Sequence, residues 1–209
     1  MDIIEQLKWR YATKKFDSEF VLSDEKLQVL KEAFNLTALS YGLQTLKLVI
    51  IKNKAQREKL VEYSFGQRQV ADASHLLVLC IQEKIDTADV NEHFNNIVKI
   101  RNTPDTILAP FKKQLNATIE AMPNGKKANW ATRQAYIALG NLMTVCALKN
   151  IDSCPMEGFN PEAYDEVLKL KKKGLKSVLL LPVGKRADDD MFAELKKVRK
   201  PLEDTIIEL

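Results

Sequence analysis

The side chains best suited to chemistry in this chain are cations placed near turns. Arg10, Lys14 and Lys15 fall in the run Lys-Trp-Arg-Tyr-Ala-Thr-Lys-Lys-Phe-Asp, just after a short predicted helix. Lys196, Lys197, Arg199 and Lys200 cluster near the far end. Two such clusters suit convergence on one phosphate, which accepts several charge-assisted hydrogen bonds at once. From composition alone, the solvated-surface reading prevails, with charges of little energetic worth. Other ways of holding a phosphate are missing. The seven glycines, at 42, 66, 125, 140, 158, 174 and 184, are spaced too widely for G-x-G-x-x-G, and no P-loop occurs. A phosphorylated cofactor would therefore be held by side chains. With two histidines (His75 and His93) and no Cys-x-x-Cys, no metal site is expected. Nothing marks a nucleophile elbow.

These residues need elements to position them. The 209 residues suit one domain, 1–209, with 185–209 as an appended arm. Hydrophobic residues at 45% and charged residues at 29% are ordinary for a globular chain and exclude a disordered one. No run approaches a membrane span. The first residues lack the basic flank and apolar run of a signal peptide. Cys80, Cys146 and Cys154, an odd number in apolar surroundings, read as reduced thiols, which predicts a cytoplasmic protein. The net charge is +4 with both signs mixed along the chain, so no nucleic-acid surface is expected. The dense run Lys169–Lys173 reads as a solvated helix end capped by Gly174.

Asp2 and Ser23 are placed to cap two helices, the second burying Leu27, Leu30 and Phe34. Residues 45–52, 76–82 and 177–183 are apolar on both faces, which predicts strands sandwiched between helices. Residues 88–101 and 106–121 read as helices, with Pro104 and Pro110 at their junction. Residues 127–149 form the strongest helical pattern. From Ala135 to Leu148 it is apolar nearly all round, which predicts burial at the core centre or at an interface between two copies. Ala131, Ala135, Ala138 and Gly140 suit close helix–helix approach. The tail mixes charges with isolated apolar residues and ends Thr-Ile-Ile-Glu-Leu, a pattern suited to packing on a partner subunit. The class is mixed α and β.

Five segments carry a resemblance. Arg10-Tyr-Ala-Thr-Lys14-Lys-Phe-Asp resembles the N-terminal Arg-x-Ser-x-Lys/Arg-x-Phe motif of the FMN-dependent nitroreductase family. Ser40-Tyr41-Gly42-Leu43-Gln44 and Gly66-Gln67-Arg68-Gln69 resemble its second and third flavin loops. Cys154-Pro155-Met156-Glu157-Gly158-Phe159 resembles its Pro-x-Glu-Gly-Phe loop. Leu181-Pro182-Val183-Gly184 followed by Lys197-Val198-Arg199-Lys200-Pro201 resembles its C-terminal end. The segments fall in family order, and the chain is most similar to the oxygen-insensitive NAD(P)H nitroreductase and dihydropteridine reductase type.

The resemblance implies an α+β fold: a central, mainly antiparallel sheet surrounded by helices, dimeric with exchanged C-terminal arms. It implies an FMN enzyme passing hydride from NADH or NADPH through flavin N5 to nitroaromatics, quinones or pteridines in ping-pong order. By resemblance, Arg10, Lys197 and Arg199 hold the FMN phosphate, and Tyr11 and Ala12 lie at the cofactor. Lys14 stands beside N1 and O2, where reduction places negative charge, and Gln67 and Gln69 bond the same edge. Ser40 and Gln44 border the ring or ribityl chain. The backbone of Pro155, Met156, Glu157 and Gly158 covers one face, with an N–H from Glu157 or Gly158 near N5. Tyr41 and Arg101 are the candidates for contact with substrate or NAD(P)H. Phe94, Phe111 and Trp130 read as core.

Four positions depart from the family pattern. Ala12 stands where the family often has Ser, Ala38 and Thr45 replace prolines, and Gly66 replaces a common Asn. They bear on flavin affinity and substrate range. Two other readings are a flavin-binding protein with little turnover and a dimeric interaction protein without flavin.

Overall fold

The computed structural model describes residues 2–209; Met1, the first residue of the expected domain, lies outside them. Asp2 caps α1 (Ile3–Trp9), and Ser23 caps α2 (Asp24–Asn35), as the sequence predicts. Leu27 and Leu30 are buried, while Phe34 packs only partly against the core. β1 (Leu46–Ile51), β2 (His75–Gln82), β3 (Asp152–Ser153) and β4 (Leu175–Gly184) form one antiparallel sheet in the order β1-β2-β4-β3.

Successive side chains on a strand point to opposite faces, so an apolar run must fill two cores. Leu77, Leu79 and Ile81 of β2, with Leu179, Leu181 and Val183 of β4, enter one core with Leu27 and Leu30 of α2. Leu76, Val78 and Cys80, with Leu180, enter the other, where Tyr164 and Phe159 pack. The central strands are thus covered on both faces.

Three short helices were not legible in the sequence: α3 (Lys54–Glu58), α4 (Gln69–Asp72) and α8 (Pro161–Val167). α5 (Thr87–Arg101) opens with a capping box from Asp86 and Asp89. It ends at Asn102 in the left-handed conformation, and α6 (Asp105–Ala121) starts after Pro104. That resolves the proline junction: Pro110 lies inside α6, and Pro104 precedes it. Phe94 is fully buried, Trp130 partly, and Phe111 is exposed, so only Phe94 is core as expected.

α7 (Asn124–Leu148) crosses the sheet. Ala131, Ala135 and Ala138 are wholly buried in the sheet-side core, so these small residues serve packing within the chain. Gly140 faces open space. The expected burial all round is therefore met on one face only. Tyr136 and Ile137 stand exposed on the other, Ile137 at 54%. Among the described residues no helix is long and apolar enough to cross a membrane.

Candidate functional site

Trp9 and Tyr11 lie two positions apart where the backbone at Arg10 leaves α1 in an extended conformation. Both rings stack on the Arg186 guanidinium, at 4.4 and 4.6 Å from its carbon. Buried Asp152 holds Arg186 in turn: its Nε donates to Oδ1 at 2.7 Å and its N–H to Oδ2 at 2.9 Å. Side chains alternate along extended backbone, so Arg10, between the two rings, is directed away from Arg186.

Arg10 lines a cavity of about 410 Å³ together with Tyr11, Ala12, Lys14, Lys197 and Arg199. The arm reaches it because the Lys197 ammonium donates to the carbonyls of Leu7, at 2.8 Å, and Arg10. These carbonyls close the C-terminal end of α1, where a cation suits the helix dipole. No carboxylate lines the cavity. Burial lowers the pKa of Arg10, and Arg199 lowers it further. Lys197 is lowered in the same way, by burial and then by Arg10 and Arg199. The Arg10 Nε is buried with no partner. Cations that repel one another around an orphaned donor suit an anion, which would satisfy both.

Asp190 mounts this cavity. It is buried, and its Oδ2 accepts from the Tyr11 hydroxyl at 2.8 Å and from the N–H groups of Lys14 and Lys15 at 2.9 and 3.1 Å. Its Oδ1 accepts from the N–H of Phe192 at 3.2 Å. Burial raises its pKa, but these hydrogen bonds outweigh burial and leave it below the usual carboxylate value.

The loop at 154–159 is held at both ends. Met156 exchanges backbone hydrogen bonds with Leu180 of β4, at 2.9 and 3.0 Å. The Gln67 amide donates to the Gly158 carbonyl at 2.8 Å and to the Ser64 carbonyl at 3.1 Å. A Cβ on Gly158 would stand 2.9 Å from that amide nitrogen, so any larger residue there would push the Gln67 amide aside. Below the loop, Phe159 stacks edge-on against Tyr164, whose hydroxyl bonds that of Ser64 at 2.6 Å. The Glu157 carboxylate accepts from Tyr136 of α7 at 2.8 Å. Among the described residues, the N–H groups of Glu157 and Gly158 find no acceptor within the chain. The Thr13 N–H donates to the Ser153 carbonyl at 3.2 Å, which places the start of this loop beside the cationic cavity.

Other expected residues lie elsewhere in the chain. Gln69 is buried at the start of α4. Ser40, Tyr41 and Gln44 do not line the Arg10 cavity. The Ser40 N–H donates to Gln134 of α7 at 2.9 Å, Tyr41 packs on Trp130, and the Gln44 amide donates to the Asn35 carbonyl at 2.9 Å. Arg101 is exposed at the end of α5.

The model of the nitroreductase family matches residues 7–185. The chain belongs to the nitroreductase family. It is 31% identical to the major NAD(P)H-flavin oxidoreductase of Aliivibrio fischeri, over 98% of this chain and 97% of that one. It is 28% identical to the oxygen-insensitive NAD(P)H nitroreductase of Salmonella typhimurium, over 100% of both chains. A protein of Exiguobacterium sibiricum solved in complex with FMN shares the fold, with a TM-score of 0.83 at 22% identity, over 100% of this chain and 98% of that one.

In this chain the sequence pattern marks the cations but not their supports. Asp190, Arg186, Asp152 and Gln134 were not singled out. The signal for one of them lay in plain spacing: Trp9 and Tyr11 alternate around Arg10, which predicts that they share a support. Gln134 fixes Ser40, and its own Nε2 is buried without a partner. Among the described residues no group of three or more His, Cys, Asp or Glu side chains is arranged to hold a metal ion.

Proposed function

We propose that this chain is an FMN-dependent oxidoreductase that draws reducing equivalents from NADH or NADPH and delivers them to a flat, electron-poor acceptor such as a nitroaromatic, a quinone or a pteridine. The observation that carries the reading is the cavity where Arg10, Lys197 and Arg199 meet with no carboxylate and with the Arg10 Nε unpartnered. The FMN phosphate is an anion of the kind these donors lack, and Arg suits its geometry.

When bound, FMN supplies a ring nitrogen that accepts hydride from the nicotinamide and gives it up to the acceptor. The protein binds and orients. Arg10, Lys197 and Arg199 hold the phosphate end. Lys14 lines the same cavity, and in the family pattern its ammonium stands where reduction places negative charge. The unpaired N–H groups of Glu157 and Gly158 are donors for the flavin face, and Gln67 holds that loop in place through the Gly158 carbonyl. The two substrates use one open face in turn, donor first, in ping-pong order.

The site is completed by a second copy of the chain. Ser40, Tyr41 and Gln44 lie apart from the Arg10 cavity, and apolar side chains stand exposed on α1, on α7 and along 185–209. Packing α7 against α7 and exchanging the arms would bury them. The test is the visible spectrum of the purified protein under anaerobic NADH or NADPH. A flavin spectrum that bleaches, then returns on adding a nitroaromatic or quinone, supports the reading. Colour that never bleaches leaves a binding protein without turnover. No flavin after soaking in FMN refutes the reading.

A further inference from the structure

A second group of cations lies where the end of β1 and the start of β2 meet α3. There a cavity of about 470 Å³ is lined by Lys52, Lys54, Arg57, His75 and one carboxylate, Asp24, on its polar side and by Phe20 and Val21 on its apolar side. None of these residues lines the Arg10 cavity.

Arg57 is only 4% exposed. Its Nη1 donates to the carbonyls of Val70, Ala71 and Ala73, closing the C-terminal end of α4. That uses one corner of the guanidinium. Its Nε is buried with no partner, and among the described residues its Nη2 makes no hydrogen bond. The buried, unpaired Nε of this guanidinium calls for an acceptor.

His75 is also 4% exposed. The Ser74 oxygen accepts from the Leu22 N–H at 2.7 Å and lies 2.9 Å from the His75 Nδ1. In the tautomer whose Nδ1 accepts the hydroxyl proton, Nε2 is a second donor for the cavity. Lys52 and Lys54 pair with Asp24 and Glu19 at 3.3 and 3.6 Å, but those carboxylates are 94% and 88% exposed. Such pairs open at little cost.

We propose that this cavity binds a phosphate monoester with a small apolar group, at a site separate from the flavin. Arg57, His75, Lys52 and Lys54 hold the phosphate. Phe20 and Val21 cover the apolar group, which would explain why Val21 stands 76% exposed at the cavity wall.

The chain has only two histidines, so their ring resonances make a ready assay. The FMN-saturated protein, with its first anion site filled, is titrated with phenyl phosphate and, separately, with inorganic phosphate. Phenyl phosphate should move His75 saturably and leave His93 in place. It should also raise the pKa of His75, which burial, Lys52, Arg57 and Lys31 lower and Asp24 alone raises. A bound dianion acts with Asp24 and against the cations. Inorganic phosphate should bind more weakly, because it leaves Phe20 and Val21 uncovered. Lys52→Gln with Lys54→Gln, both at exposed positions, should weaken phenyl phosphate by about tenfold or more. A response shared equally by His93, no saturable response, or one indifferent to the lysine changes overturns the site. Equal binding of the two probes overturns the ester as its ligand class.

Discussion

Arg10 owes its direction to its two neighbours, which are spent on Arg186. Its own replacement is therefore the cleanest probe of the anion cavity. Arg10→Ala should weaken FMN binding by about tenfold to a hundredfold, the worth of a hydrogen bond to a charged group. The backbone carbonyl that Lys197 grips is unchanged by that substitution, so the arm should stay seated. A fluorescence titration with FMN measures it, and an unchanged affinity would remove Arg10 from the site. Lys14→Met is expected to slow anaerobic reduction of the bound cofactor by about tenfold or more while leaving the urea midpoint nearly unmoved. Equal reduction rates in stopped flow would sink that role. The cations were singled out in the sequence through the family resemblance of their segments, since composition alone favours solvated surface charges. Asp190 and Arg186 were not, because a sequence does not say which of 28 acidic residues will be buried.

Asp190 acts at the scale of elements: one carboxylate fastens the start of the arm to the segment after α1. Four donors hold it in its charged form, so its folded pKa is depressed. A depressed carboxylate stabilises the fold above its unfolded value, and that stability is lost as pH falls through the folded one. Urea unfolding between about pH 6 and pH 3 should therefore show a loss in the wild type that Asp190→Asn lacks. At neutral pH the same substitution should cost about 2 kcal/mol, since a neutral amide leaves some of those donors poorly paired. Long periodic elements were readable in advance. Asp2 and Ser23 mark two helix starts, and the apolar strands announced a sheet with two cores. α3, α4 and β3 were not readable, because a five-residue helix and a two-residue strand carry no period. They exist because the chain around them is already fixed: β3 pairs with the end of β4, and Arg57 closes α4.

At the scale of the molecule, apolar side chains stand in solvent on α1, α7 and the arm, and the proposed dimer would cover them. Sedimentation of the intact chain should give a dimer, and removal of 201–209 should weaken it without removing Lys197 or Arg199. A monomer at every concentration would refute the exchanged arms. FMN should also stabilise the fold by mass action, by about 2.7 kcal/mol at a hundred times its dissociation constant, because filling the cavity relieves three cations of one another. Thermal melting against FMN concentration reads this directly. One feature of the cavity reaches into the history of each molecule. Lys197 grips Arg10 across 187 positions of chain. The two halves of the proposed phosphate clamp are therefore made near opposite ends of synthesis. A nascent chain on the ribosome carries Arg10 long before the arm exists, and it has nothing with which to close the clamp. If that clamp holds the cofactor, loading waits until after translation, and a chain cut short before Lys197 should be released colourless.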